Sequence, residues 1–332
     1  MVIKKVLVTG VAGFIGFHVA MKLLELGVEV VGVDNINKYY SQELKMNRLK
    51  QLETYSKTNK EYFLFEKIDI TDLYSMNNLF EKNNFNYVIN LAGQAGVRYS
   101  IEEPREYLKS NVDGFMNILE LSTKYKVEQL VYASSSSVYG NSKDIPLNTS
   151  QHSSSPESIY AATKKMNELM AYVQTSQFGL RTTGLRFFTV YGPWGRPDMA
   201  PFKFAEKIMK GEPIDLYNNG DHLRDFTYID DVVNGVIACF APDLDGLSGK
   251  EDLYRVYNVG CQNPVKLLDF VDLLEVSLGM KAERVLKPMQ PGDVYATYAN
   301  SNQLTYDKGW MPKVQLPEGI ALFSDWFKRY NS

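Results

Sequence analysis

The sequence predicts an α/β fold, a doubly wound parallel sheet with a smaller C-terminal substrate-binding lobe. Three observations predict it. Apolar runs of strand length alternate with helical patterns through the first half of the chain, a glycine-rich turn follows the first run, and beyond Phe188 this rhythm gives way to Gly- and Pro-rich loops.

The strand-like runs are KKVLVTG at 4–10, VEVVGVD at 28–34, YFLFEKI at 62–68, YVINLAG at 87–93, QLVYASS at 129–135 and LRTTGLRFF at 180–188. Most are apolar almost throughout rather than at every second residue, as strands covered on both faces require. Past Phe188 the segments at 190–198, 210–221 and 289–293 are loop-like, while YRVYNVG at 254–260 returns to the sheet. These features divide the chain into a Rossmann domain, 1–187 plus about 226–262, and a second lobe, 188–225 plus 263–332. The polar span at 41–60 reads as a charged surface helix and loop.

Composition narrows the partners. At 332 residues with 45% hydrophobic content, the chain can build a substantial core, and its net charge of -3 provides no basic footprint for nucleic acid or an anionic membrane. Cys239 and Cys261, the two cysteines, have no metal-ligand spacing, so we expect reduced thiols, no zinc site and a cytoplasmic protein. No apolar run is long enough to span a bilayer.

The first βα turn reads Thr9-Gly10-Val11-Ala12-Gly13-Phe14-Ile15-Gly16. Gly10, Gly13 and Gly16 have the spacing that lets a chain turn tightly, approach a pyrophosphate and pack a helix on the sheet. Asp34 ends the second strand eighteen residues after Gly16. A carboxylate there accepts hydrogen bonds from a ribose 2′-hydroxyl and repels a 2′-phosphate, which points to NAD rather than NADP. Asp69 and Ile70 follow the third run, either as an adenine contact or as part of a helix N-cap region before Thr71 and Asp72.

Tyr160 and Lys164 stand four residues apart in the helical pattern at 158–176 and therefore share one face. A phenol is a poor base at neutral pH, but a neighbouring ammonium and a bound nicotinamide cation would both favour its ionised form. Tyr160 is the candidate base. Ser134 to Ser137 fall at the carboxyl edge of the sheet, where open α/β folds bind ligands, and offer hydroxyls without charge.

Together these segments resemble the extended short-chain dehydrogenase/reductase family, and within it the nucleotide-sugar epimerases. The resemblance spans nearly the whole chain. It rests on the glycine turn, Asp34-Asn35, LAGQA at 91–95, NVDG at 111–114, SSSSVYG at 134–140, Tyr160 with Lys164, RDFTYIDD at 224–231, YNVG at 257–260 and QPGD at 290–293. The stretch RFFTVYGPWGRPDMA at 186–200 is most similar to UDP-glucuronate 4-epimerases.

The resemblance implies a redox mechanism without net oxidation, in which hydride leaves C4 of the sugar for NAD, a 4-keto intermediate rotates, and the hydride returns to its other face. It implies that Tyr160 exchanges the proton of the 4-hydroxyl, Ser135 shares the bond to that oxygen, and Lys164 holds the nicotinamide ribose. It also places Phe14, Ile15, Asn35, Leu91, Ala92, Gly93, Asn111 and Ser134 around the cofactor. Arg98, Arg196, Arg224 and Asp293 would contact the UDP-sugar, arginine being suited to a diphosphate by its planar fork. Gln290 stands where many relatives carry an arginine, and Asn300 where aspartate is common. A homodimer is implied by analogy.

Dehydratases of this family carry an Asp-Glu pair where this chain has Ser136 and Ser137, and decarboxylases acting on UDP-glucuronate carry a glutamate in the same segment. A uronic acid oxidised at C4 is a β-keto acid, so an epimerase must clamp its carboxylate. Ser136, Ser137 and Thr189 are neutral donors suited to that task. Alternatives are a 4-epimerase of UDP-glucose or UDP-N-acetylglucosamine, a UDP-glucuronate decarboxylase, and a non-catalytic NAD-binding sensor or scaffold.

Overall fold

A computed structural model describes residues 5–151, 155–240, 253–290 and 294–331. In chain order the first half comprises β1 (Lys5–Thr9), α1 (Phe14–Glu25), β2 (Glu29–Val33), α2 (Gln42–Asn59), β3 (Phe63–Glu66), α3 (Leu73–Asn83), β4 (Tyr87–Asn90), α4 (Tyr99–Glu102) and α5 (Pro104–Tyr107). A π-helical turn (Leu108–Asp113) then leads into α6 (Gly114–Lys124), β5 (Gln129–Ser135), a 3₁₀ turn (Ser136–Tyr139), α7 (Ile159–Phe178) and β6 (Thr182–Phe187). The remainder holds β7 (Thr189–Tyr191), α8 (Ala200–Lys210), β8 (Ile214–Leu216), β9 (Leu223–Tyr228), α9 (Ile229–Phe240), β10 (Tyr254–Val259), β11 (Pro264–Lys266), α10 (Leu267–Leu278), β12 (Arg284–Leu286), α11 (Asn302–Lys308) and α12 (Leu316–Tyr330).

Seven strands form one parallel sheet in the order β10-β6-β5-β4-β1-β2-β3. Each strand-like run of the sequence lies in it. The double covering expected from their composition appears as two separate apolar layers. Val6, Val8, Val30, Ile89 and Val131 join one buried cluster, while the alternate residues Leu7, Val31, Val88 and Leu130 join another. Period-two alternation thus feeds both faces, each fully buried Val or Leu being worth about 1.5–3 kcal/mol.

Outside this sheet, β9 pairs in parallel with β7 and antiparallel with β11, and β8 pairs with β12. Strand β9 runs without a break through residue 226. The segment that returns to pack against the main sheet therefore begins with α9, which lies against α1 and β5.

Helix α2 departs from its expected surface character. Ser41 caps it by accepting from the Leu44 amide, and Leu44, Leu49 and Leu52 are buried, but so are Lys45 and Arg48. Their stems follow the apolar stripe and their heads find oxygen acceptors inside the molecule.

Candidate active site

Two adjoining cavities open at the carboxyl edge of the main sheet. One is a cleft of about 330 Å³ over the ends of β1, β2, β4, β5 and β6. The other, of about 730 Å³, is bounded by residues of α4, α8 and β9. Tyr39, Gly96, Val97, Ser136, Ser137, Thr189 and Met199 line both, so the hydroxyls stand where the cavities meet.

The glycine turn forms the floor of the cleft. Gly10 has φ of +70°, and a Cβ there would lie 2.7 Å from the Ala92 amide nitrogen. At Gly16 a Cβ would lie 2.1 Å from the Gly10 carbonyl oxygen, so this helix start fits against the turn only without a side chain. Asp34 is tied to the same turn, its carboxylate accepting from the amides of Ala12 (3.1 Å) and Ile36 (2.8 Å). Burial nevertheless pushes its carboxyl above the ordinary value. Asp69 accepts from Asn35 Nδ2 at 2.8 Å and from the amide and hydroxyl of Thr71. Burial raises the Asp69 carboxyl, and these bonds outweigh it, leaving the group below the ordinary value. Asp72, not Asp69, caps α3, and Asp69 lines the cleft.

Helix α7 meets the end of β5 turn by turn. Ser158 caps the helix through the Ala161 amide, which sets Tyr160 in its first turn. The Ser135 hydroxyl lies beside the Tyr160 phenol. Lys164 donates from Nζ to the Ala133 carbonyl at 3.0 Å, and Glu168 accepts from Ser134 Oγ at 2.7 Å. Burial raises the Tyr160 phenol, while Ser135 and the charge of Arg196 lower it. Burial prevails and leaves the phenol above its ordinary value; the expected help from Lys164 is not part of that balance, and burial lowers the lysine itself to about 8.

The serine run is two strand residues followed by two turn residues. Ser134 and Ser135 pair in register with Arg186 and Phe187 of β6. Ser135 Oγ then accepts from the Ser137 amide and donates to the Ser137 hydroxyl, each at 3.1 Å, closing the 3₁₀ turn. Because Ser134 gives its hydroxyl to Glu168, only its other atoms are available to a ligand in the cleft.

Every residue expected around the cofactor lines the cleft except Asn111. Asn111 is buried in the π-helical turn, accepting from the Gln94 amide at 2.7 Å and donating to the Gln94 carbonyl at 2.9 Å and to Thr163. It shapes the 91–95 loop from behind and is not exposed to the cleft.

Of the residues expected at the substrate, Ser136, Ser137, Thr189 and Arg196 reach the cleft, and Arg98 and Arg224 line the second cavity. Arg196 pairs with Asp198, which also accepts from the Tyr39 hydroxyl at 3.0 Å. The Arg98 guanidinium lies 4.7 Å from the centre of the Tyr217 ring. Arg224 donates to the carbonyls of Leu223, Val294 and Tyr295. Asp293 lies outside the described residues. Tyr39, Lys45 and Lys203 line the cavities and were not singled out from the sequence. The only signal was their position on loops or helices that follow sheet strands. Among the described residues there is no cluster of His, Cys, Asp and Glu able to hold a metal.

A family model described as the NAD dependent epimerase/dehydratase family matches residues 6–260. The chain belongs to this family. It is 43% identical over 335 residues to UDP-glucuronate 4-epimerase 2 of Arabidopsis thaliana, a match covering 98% of this chain and 76% of that protein. Its fold superposes with a TM-score of 0.89 on UDP-glucuronic acid 4-epimerase from Bacillus cereus in complex with UDP-glucuronic acid and NAD, at 30% identity, covering 98% of this chain and 99% of the other. It is similar also to UDP-glucose 4-epimerase of Thermotoga maritima with UDP-glucose, with a TM-score of 0.86 and 30% identity, covering 99% of this chain and 100% of that one.

The chain is thus an NAD-dependent nucleotide-sugar epimerase. Its residues fit NAD. Gly10 and Gly16 let the turn pack against the Ala92 backbone and the helix start against the turn, at the floor of the cleft, Asp34 presents a carboxylate at the end of β2, and the cleft runs from there to Tyr160 and Lys164.

Proposed function

We propose that this epimerase interconverts UDP-glucuronate and UDP-galacturonate. The observation that carries the reading is the composition of the junction between the cavities. Ser136, Ser137 and Thr189 meet there with Arg196 nearby; the cleft's carboxylates, Asp34 and Asp69, lie after β2 and β3, and of the acids lining the second cavity, Glu102, Glu157, Asp198 and Asp215, Asp198 is paired with Arg196. Neutral donors can hold a uronate carboxylate in the ring plane, and no acid stands on β5 to drive elimination. The Arabidopsis and Bacillus likenesses support the uronate; the Thermotoga likeness favours UDP-glucose as the second reading.

NAD, when bound, supplies a reversible hydride acceptor. In this reading it would lie on the glycine turn with its ribose hydroxyls toward Asp34, between Asn35, Asp69 and the 91–93 segment. Tyr160 takes the proton of the sugar 4-hydroxyl and returns it. Ser135 stabilises the deprotonated form of Tyr160 by turning its hydroxyl from Ser137 to the phenolate. Lys164, fixed to the Ala133 carbonyl, holds the nicotinamide ribose. Arg98 and Arg224 bind the UDP moiety in the second cavity, and the resemblance adds Asp293 as a further nucleotide contact. The NAD-binding lobe is then 1–187 plus about 229–262, and the nucleotide-sugar lobe 188–228 plus 263–332.

Helix α7 also presents Met166, Leu169, Tyr172 and Val173 to solvent. Such an apolar row supports a homodimer through this face, which sedimentation velocity would detect at twice the monomer mass. The test of function is chromatography of the products formed from UDP-glucuronate and UDP-glucose without added reductant. UDP-galacturonate is expected from the first. Inactivity on the uronate with ready turnover of UDP-glucose would sink the substrate reading.

A further inference from the structure

Arg48 is fully buried in the middle of α2 and does not line the cleft. Its guanidinium donates from Nη1 to the Ala12 carbonyl at 2.8 Å and to the Tyr40 hydroxyl at 2.7 Å. From Nη2 it donates to the carbonyls of Trp194 at 2.6 Å and Gly195 at 3.1 Å, and Nε also reaches Trp194 at 3.2 Å. All of these acceptors are neutral. Asp34 lies within electrostatic reach, but its oxygens already accept from Ala12 and Ile36. A guanidinium remains charged even when buried, and a buried charge without a counter-ion is costly.

What the fork joins gives this charge a purpose. Ala12 belongs to the glycine turn, and Trp194 and Gly195 lead directly to Arg196 in the cleft wall. Trp194 has φ of +60°, a strained conformation for a side chain of its size. Two hydrogen bonds to its carbonyl, and ring packing on Phe17, Trp326 and Tyr330, hold it there.

We propose that Arg48 is a positioning residue of the cofactor site. It clamps the glycine turn to the Trp194–Arg196 loop and sets a buried positive charge beneath the place where a dinucleotide diphosphate is received. Cofactor retention then depends on a side chain that touches no ligand. The inference rests on the glycine turn as the NAD site and not on the identity of the sugar.

The experiment is calorimetric titration of NAD, without any sugar nucleotide, into the full chain freed of bound nucleotide. Wild type, Arg48→Met and Arg48→Lys are compared, with circular dichroism as the check on folding. Arg48→Met should bind NAD at least about tenfold more weakly, and its melting temperature should rise less on saturation with NAD. Arg48→Lys should fall between, because an ammonium cannot bridge Ala12 and Trp194 as a fork does. A folded Arg48→Met protein with affinity within twofold of wild type would overturn the proposal. Should that variant fail to fold, Arg48→Lys decides, wild-type affinity refuting the clamp and weakened affinity supporting it. A wild-type chain that binds no NAD would instead overturn the site reading, and an unexpected sugar specificity would leave the NAD titration unchanged.

Discussion

Replacing Glu168 by glutamine should destabilise the chain by about 3–5 kcal/mol, the usual cost of removing one partner from a buried ion pair. Its side chain is 1% exposed and accepts from Arg186 Nε and Nη2, both at 2.7 Å. Ser134 Oγ adds a bond at 2.7 Å to one oxygen, and Lys165 Nζ adds one at 3.1 Å to the other. A glutamine turned either way sets an amide NH₂ against two of these donors. It also leaves Arg186, itself 3% exposed, as a buried cation without its counter-charge. Adding Arg186→Met to Glu168→Gln should recover at least about 2 kcal/mol, because the orphaned charge is then gone. Equilibrium urea unfolding of the four proteins of this cycle at pH 7 measures both quantities. A loss below about 1 kcal/mol for Glu168→Gln, or a double variant no more stable than the sum of the singles, would refute the reasoning.

Three further outcomes are expected. Tyr160→Phe should abolish turnover while NAD binding stays near wild type; retained activity would mean that the base is another group. Replacing Ser136, Ser137 and Thr189 together by alanine should let part of the uronate lose CO₂, seen by chromatography as a UDP-4-keto-pentose, and a variant forming none would contradict the carboxylate clamp. Asp225 is fully buried, and despite amide bonds from Cys261, Gln262 and Ala299, burial raises its carboxyl from 3.8 to about 6. The folded state then binds the extra proton between those values, so this contribution to stability is present below pH 3.8 and lost as pH rises through 6. The stability of wild type relative to Asp225→Asn should therefore fall by about 2 kcal/mol from pH 4 to pH 7, and a constant difference would exclude it.

The sheet was legible because local composition is enough to define it: β-branched runs, a glycine turn and helical spacing each act within about ten residues. The same holds for Tyr160 and Lys164, which one turn of helix brings together. Contacts between distant segments were not legible. Arg48 meets Trp194 across 146 residues, and read locally it is one more charge on a polar helix. Asn111 sits in the expected neighbourhood, yet the π-helical turn directs its amide to the back of the 91–95 loop. Nor could the run of identical serines show that Ser134 would turn to Glu168 while Ser135 turned to Ser137.

That run has a consequence for how the protein tolerates change. Four chemically identical side chains acquire different addresses from backbone phase, the first two set by strand alternation and the last two, at the junction of the cavities, by the turn that Ser135 closes. Exchanging one hydroxyl for another there alters a single address, whereas deleting or inserting one serine reassigns all that follow. The segment should consequently accept threonine more readily than any change of length, although by composition alone it looks like the most expendable spacer in the chain.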